Sequence, residues 1–342
     1  MSFNPAENYS EPISQPFTTT TPLNFLQFGE FQLGDITFYL LIIIDSIGVI
    51  ENVLAFFLFL QLRIRNLLNP TAHLMLGQQV FFDGLSCGLA ILVSIDPFKL
   101  ISLNGVWNII ICQVWKTQFI YFLVYSYSVY NHVIISFERL IAIVFSLHYS
   151  QLKNKLWLYL SIFYVILFVY NLPGLARMSY DLEEHICQIT QEYNNIVQAI
   201  DVYNVSTVFV GFVFPLAFMV TTNWMVVYRL KIESKTMQKF SGTQGASYHG
   251  PNKISEANRA LVKISVALAI SFISTSIFAN VFLFLSALDI ITIQQFSPIG
   301  NLTILSANVN MTMNPILCIF LLPSLTKNIA TWFRTQPAEN LW

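Results

Sequence analysis

Seven long apolar stretches set the limits on what this chain can fold into. They run from about Ile36 to Leu62, Thr71 to Ser94, Ile109 to Val144, Leu156 to Leu175, Val202 to Tyr228, Ala260 to Leu288 and Ile299 to Leu322. Each is near the roughly 20 residues that a helix needs to cross about 30 Å of hydrocarbon. Composition agrees: of 342 residues, 55% are hydrophobic and 10% charged, with 30 phenylalanines, whereas a soluble domain carries about a quarter charged residues. The fold class expected is all-α, one seven-transmembrane helix bundle over 36–322. No internal repeat is evident, and a tail over 1–35 precedes the bundle.

Basic residues orient the bundle. With the amino terminus outside, Arg63, Arg65, Lys153, Lys155, Arg229, Lys231, Lys235, Lys239, Lys253, Arg259, Lys327 and Arg334 are all cytoplasmic, against Lys99, Lys116 and Arg177 outside; cytoplasmic excess of Lys and Arg is the rule for short loops. Acids lean the other way, with Asp181, Glu183, Glu184 and Glu192 in the second outer loop. The 1–35 tail is therefore extracellular, and Asn8, in Asn-Tyr-Ser, is a glycosylation acceptor there. Asn204 and Asn301 also begin sequons but lie near helix ends. The first apolar run starts after some 35 polar residues with no basic region before it, so the first helix is expected to serve as the insertion signal. The cytoplasmic third loop, 229–259, is rich in Ser, Gly, Gln and Lys and reads as a flexible tether. Over 323–342, Leu325, Ile329, Trp332 and Phe333 recur at helical spacing between Lys327 and Arg334, after a break at Pro323. This predicts a short amphipathic eighth helix lying on membrane lipid.

Polar residues within the apolar runs carry the functional signal, because each is costly in hydrocarbon unless it faces the bundle interior. Asn52 in "IENVLAFF", Asp83 in "QQVFFDGLS", Glu138 and Arg139 in "FERLIAIVFSLHY", Pro215 in "FVFPLAF", and Asn314 and Pro315 in "NPILC" stand in that order along the chain. In order and position the set resembles the pattern of rhodopsin-like (class A) G-protein-coupled receptors, over all seven helices, with affinities to divergent peptide-receptor-like or chemoreceptor-like members.

That resemblance implies an extracellular ligand and a heterotrimeric G protein as partners, with no nucleic acid. Glu138 and Arg139, with Asn314 and Pro315, are implied as the coupling switch, the Arg held by its neighbouring acid at rest. Pro215, Val129 and Phe272 match a packing switch between helices three, five and six. Cys112 and Cys187 match the family's outer disulfide, on the oxidising side; Cys87 and Cys318 read as buried fillers. Asp83 has two readings. Read from the residues, it is a polar hub with Asn52 and Asn314 as partners. By resemblance, Asp83, Ser128, Asn310 and Asn314 line a pocket for an allosteric sodium ion; no other cofactor is implied.

Several positions depart from the family pattern. Cys112 lies two residues farther from Arg139 than is usual, so the third helix either extends by about 3 Å, at 1.5 Å per residue, or carries a bulge. The sixth helix has Ser276 and Phe278 where Trp and Pro are usual, and Asn258 where an acid often meets the Arg. Ser274, Thr275 and Ser276 offer only weak bending by bonding back along the helix. Asn223 and Cys318 replace two tyrosines, while Asp45 and Glu51 have no counterpart, Glu51 being a local polar partner for Asn52. His132 reads as a packed neutral residue.

Tyr121 stands where amine receptors hold an Asp, and Asn308 where opsins hold a retinal-bearing Lys; amine and retinal ligands are thereby disfavoured. Gln118, Tyr121, Phe122 and Tyr125, completed by Asn280 and Asn308, outline an aromatic, amide-lined pocket. With the acidic outer loops this favours a peptide, with basic residues and an amidated end, over a chemosensory small molecule. A transporter would show paired mid-membrane charges or helices broken in corresponding halves, and neither is found beyond Asp45, Glu51 and Asp83. No His-x-x-x-His or Gly-x-Gly-x-x-Gly stands in the sequence, and an enzyme is not expected.

Overall fold

A computed structural model describes residues 25–64, 70–95, 106–180, 187–189, 202–241, 252–288, 290–291 and 297–322. Asn8, the acidic outer loop, the middle of the third loop and the amphipathic tail lie outside the described residues. Seven helices are long and apolar enough to span a membrane: α1 (Phe25–Ile64), α2 (Pro70–Ile95), α3 (Val106–Val144), α4 (Ser146–Asn171), α5 (Val202–Glu233, running on to Ser241), α6 (Asn252–Ala287) and α7 (Pro298–Leu321). α1 begins eleven residues before the apolar run that marks its span.

The bundle follows from burying polar faces and leaving apolar ones to lipid. On α4, Trp157, Leu158, Ile162, Val165, Ile166 and Val169 are exposed, while Leu156, Leu160 and Leu167 turn inward. α3 is the central strut, packed on α2, α4, α5 and α6; α1 packs on α2 and α7, and α7 also on α2 and α6. Gly48 lets the α1 seam close: a Cβ there would lie 2.6 Å from Thr312 Oγ1 and 2.8 Å from Cys87 Sγ.

Two prolines shape two helices. Pro215 has no N–H for the Gly211 carbonyl one turn back, and the turn before it opens into a π segment, Phe209–Val213. Pro315 likewise strips the Met311 carbonyl of its helical donor; the Asn52 amide supplies one at 3.2 Å, while also bonding Gly48 O at 2.9 Å. α7 starts with Pro298 at its first turn and a Ser297 hydroxyl that accepts from the Gly300 N–H at 3.0 Å.

The two-residue excess in α3 is accommodated as a bulge. Val106–Ile110 is α-helical, Ile111–Lys116 is a π turn, and Gln118 takes φ 58° before regular helix resumes at Phe119. Cys112, in that π turn, bonds Cys187 with 5.7 Å between their Cα atoms. Cys187 opens β2 (Cys187–Ile189), which pairs antiparallel with β1 (Met178–Tyr180). The all-α bundle thus carries one short hairpin at its outer end.

The third loop differs from its reading as a tether. α5 reaches Ser241 and α6 begins at Asn252, because the stretch after Arg229 holds Lys, Glu, Met and Gln and no Pro or Gly before Gly242. An Arg229–Glu233 pair at 3.4 Å, one turn apart, adds to it.

Candidate functional site

Three polar constellations run through the bundle from the cytoplasmic end outward. At the cytoplasmic end of α3, Arg139 forms an ion pair with Glu138, and both are nearly buried. Burying an ion pair is unfavourable unless its remaining hydrogen-bonding capacity is met; the Tyr149 hydroxyl helps by donating to Glu138 Oε1 at 2.7 Å. Burial, then the Glu138 carboxylate, pushes the Tyr149 phenol up to about 12, so it keeps its proton at physiological pH. Arg139 is walled by Ala72, Met75, Leu76, Ile135, Leu261 and Ile264, so α6 presents it with aliphatic carbon. Among the described residues no second acid pairs with Arg139.

One turn deeper, a buried triad joins three helices. Ser265 of α6 donates to Asn223 Oδ1 of α5 at 2.8 Å, Asn223 Nδ2 lies 3.4 Å from Ser136 Oγ of α3, and the two serine oxygens are 3.2 Å apart. Asn223 is one of the two positions where the family's bridging tyrosines are missing. Above it Val129 and the fully buried Phe272 share a core with Phe212 and Met219, and Pro215, between those two on α5, is buried.

The second constellation surrounds Asp83. Its Oδ1 accepts from Gln79 Nε2 at 2.9 Å and from the Ser128 hydroxyl in a short hydrogen bond, and its Oδ2 accepts from Asn314 Nδ2 at 2.9 Å. His132 Nε2 lies 3.1 Å from both amide nitrogens. Amide nitrogens do not accept, so Nε2 is the unprotonated nitrogen, its one lone pair shared between the two, and the proton falls on Nδ1, which has no partner among the described residues. Asn52 belongs to the neighbouring proline break rather than bonding Asp83, and Asn310 Oδ1 has no partner among the described residues.

A sodium ion would need Asp83, Ser128, Asn310 and Asn314 to turn oxygens toward one point. Here both carboxylate oxygens face N–H or O–H donors, and Gln79 Nε2 stands 2.9 Å from both Asp83 Oδ1 and Ser128 Oγ. As placed, these donors occupy the position between Asp83 and Ser128 that a cation would take, while Asn310 Oδ1 and Asn314 Oδ1 are buried without partners among the described residues.

A third constellation links the outer half to α1. Asn308 Nδ2 donates to Asp45 Oδ2 at 3.1 Å, and the Tyr121 hydroxyl donates to Asn308 Oδ1 at 3.0 Å; all three residues are buried. Asp45 is therefore tied to the pocket floor through Asn308. Glu51 does not bond Asn52: its Oε2 has no partner among the described residues.

Above this network lies a cavity of about 160 Å³ between α3, α5, α6 and α7. Tyr121, Phe122, Tyr125 and Asn280 line it, joined by Asn171, Tyr203 and Asn204, and among the described residues none that lines it is charged. Gln118 and Asn308 lie outside the lining, Gln118 in the bulge and Asn308 beneath it. Ser274 and Thr275 bond back to Ile270 O and Ser271 O at 2.9 and 2.7 Å, and the Asn280 amide to Ser276 O at 2.8 Å, yet α6 stays one uninterrupted helix.

Gln79, Asn131, Ser136, Ser265 and Asn171 went unmarked in the sequence. Gln79 alone carried a local signal, its four-residue spacing from Asp83 placing both side chains on one helix face; the others find partners in distant helices.

A family model described as 7 transmembrane receptor (rhodopsin family) matches residues 66–317. No curated protein matches the chain. The match takes in every helix from α2 to α7, the Glu138–Arg139 pair, the Asp83 cluster and the outer disulfide, and the chain belongs to the rhodopsin family of seven-transmembrane receptors.

Proposed function

We propose that this receptor responds to an extracellular peptide whose uncharged end enters the outer cavity, and that it signals to a heterotrimeric G protein through Arg139. The observation that carries the reading is the lining: aromatic rings and three carboxamides, Asn171, Asn204 and Asn280, with no charge among the described residues. Asn280 gives one N–H to Ser276 O and keeps a second N–H and its carbonyl oxygen, the complement of a terminal amide, and the rings suit an aromatic side chain next to it. A charged ligand group would be desolvated there without a counter-ion. The cavity's modest volume supports a second reading, a small neutral molecule as in chemosensation. Cells expressing the full chain with a promiscuous G protein, screened against amidated peptides and neutral volatiles, separate the two. Peptide agonism lost in Asn280→Ala, and weakened at least tenfold when the terminal amide becomes an acid, is the expected result. Response to volatiles alone would overturn the peptide reading, and a ligand response that bypasses G proteins would overturn the coupling.

A further inference from the structure

We propose that Gln79 is an internal stand-in for a cation: its amide nitrogen fills the position between Asp83 and Ser128, leaving the resting receptor insensitive to sodium. The inference rests on the Asp83 cluster and is independent of the peptide reading. Gln79 Nε2 is 2.9 Å from Asp83 Oδ1 and 2.9 Å from Ser128 Oγ, so an ion ligated by both oxygens would have to displace it. The orientation of the amide is fixed from its other end. Asn131 Nδ2 donates to the Met75 carbonyl at 3.0 Å and to Gln79 Oε1 at 2.9 Å. A backbone carbonyl only accepts, so the Asn131 nitrogen must face it, and Gln79 must then turn its oxygen to Asn131 and its nitrogen to Asp83. Gln79, Asn131, Ser128 and Asp83 are each completely buried, which leaves the amide no water to exchange with. Asn314 Nδ2 covers the second carboxylate oxygen, and His132 Nε2 lies 3.1 Å from both amide nitrogens. What a mobile ion would supply to the carboxylate, positive charge density from a removable ligand, comes instead from tethered N–H dipoles.

The test uses the purified full-length receptor in lipid nanodiscs, its thermal midpoint followed by tryptophan fluorescence, with sodium chloride replacing choline chloride at constant ionic strength. Wild type is expected to melt at the same temperature throughout. Gln79→Leu and Gln79→Ala, which vacate the position while keeping Asp83 and Ser128, are expected to rise by about 2–4 °C per tenfold sodium above the binding constant. Adding Asp83→Asn to either variant should abolish that rise. A saturable sodium shift in wild type overturns the proposal, as does a folded Gln79 variant that remains insensitive. If neither variant survives purification, the wild-type titration alone decides.

Discussion

Asn52 shows how one side chain answers a defect created 263 residues later. Pro315 leaves Met311 without a helical donor, and the Asn52 amide reaches across to that carbonyl at 3.2 Å. Asn52→Ala should destabilise the receptor by about 1–3 kcal/mol, the range for a buried polar group left unsatisfied. Pro315→Ala restores a backbone N–H to Met311, so the double variant should recover part of that loss. Thermal midpoints of the four proteins give the coupling; strictly additive losses would mean that Asn52 stabilises α1 by its bond to Gly48 alone. Glu138 makes a second case. It neutralises Arg139 and accepts from Tyr149, so Glu138→Gln should raise basal signalling several-fold, and Tyr149→Phe, which removes one hydrogen bond to the ion pair, about 1.5–3 kcal/mol, but leaves the pair itself, should raise it less. Basal second-messenger output at matched surface expression checks the order.

Among the elements, α3, α5 and α6 hold the resting geometry by means that the family motifs do not reveal. Asn258 points to a weak lock, yet Ser136, Asn223 and Ser265 tie α3, α5 and α6 together in a buried triad. Ser265→Ala and Asn223→Ala should each shift the resting equilibrium by about 1 kcal/mol, about fivefold in basal output, and the double variant should do little more than either alone. A basal output equal to wild type in both would remove the triad from the switch. The spans themselves were legible because an apolar run of this length has one stable solution in lipid. So was the anomaly in α3, which the two-residue displacement of Cys112 betrayed; its form was not, since a π turn with Gln118 at φ 58° and a straight extension fit the same count. Ser136, Asn223 and Ser265 are unremarkable as letters, and only the crossing of three helices makes them one group. The helical flanks of the third loop were missed because Ser and Gly in its middle masked the helix-forming residues on either side.

For the whole molecule, the outer disulfide and Arg139 mark the two ends between which a signal must pass. The Cys112–Cys187 bridge spans 75 residues of sequence, and in the chain-entropy model closing such a loop stabilises the fold by about 4 kcal/mol. Cys112→Ser and Cys187→Ser should lower surface expression equally, with the double variant no worse; losses that add would mean separate roles. The cavity and Arg139 lie at opposite ends of α3, with Tyr121 and Arg139 separated by about 27 Å at 1.5 Å per residue. A ligand in the cavity therefore acts on Arg139 only by binding the open bundle more tightly than the closed one. Arg139→Ala should abolish G-protein activation and leave ligand affinity within the few-fold set by any change in the closed-to-open ratio, because linkage transmits to the binding site only what alters that ratio. Glu138→Gln, which favours the open state, should instead raise agonist affinity together with basal output. Surface-expressed Arg139→Ala receptor that activates G protein at the wild-type level would reduce the Glu138–Arg139 pair to an interfacial anchor and move the search for the coupling residue to α5 and α6, where the Ser136–Asn223–Ser265 triad is the next contact to break.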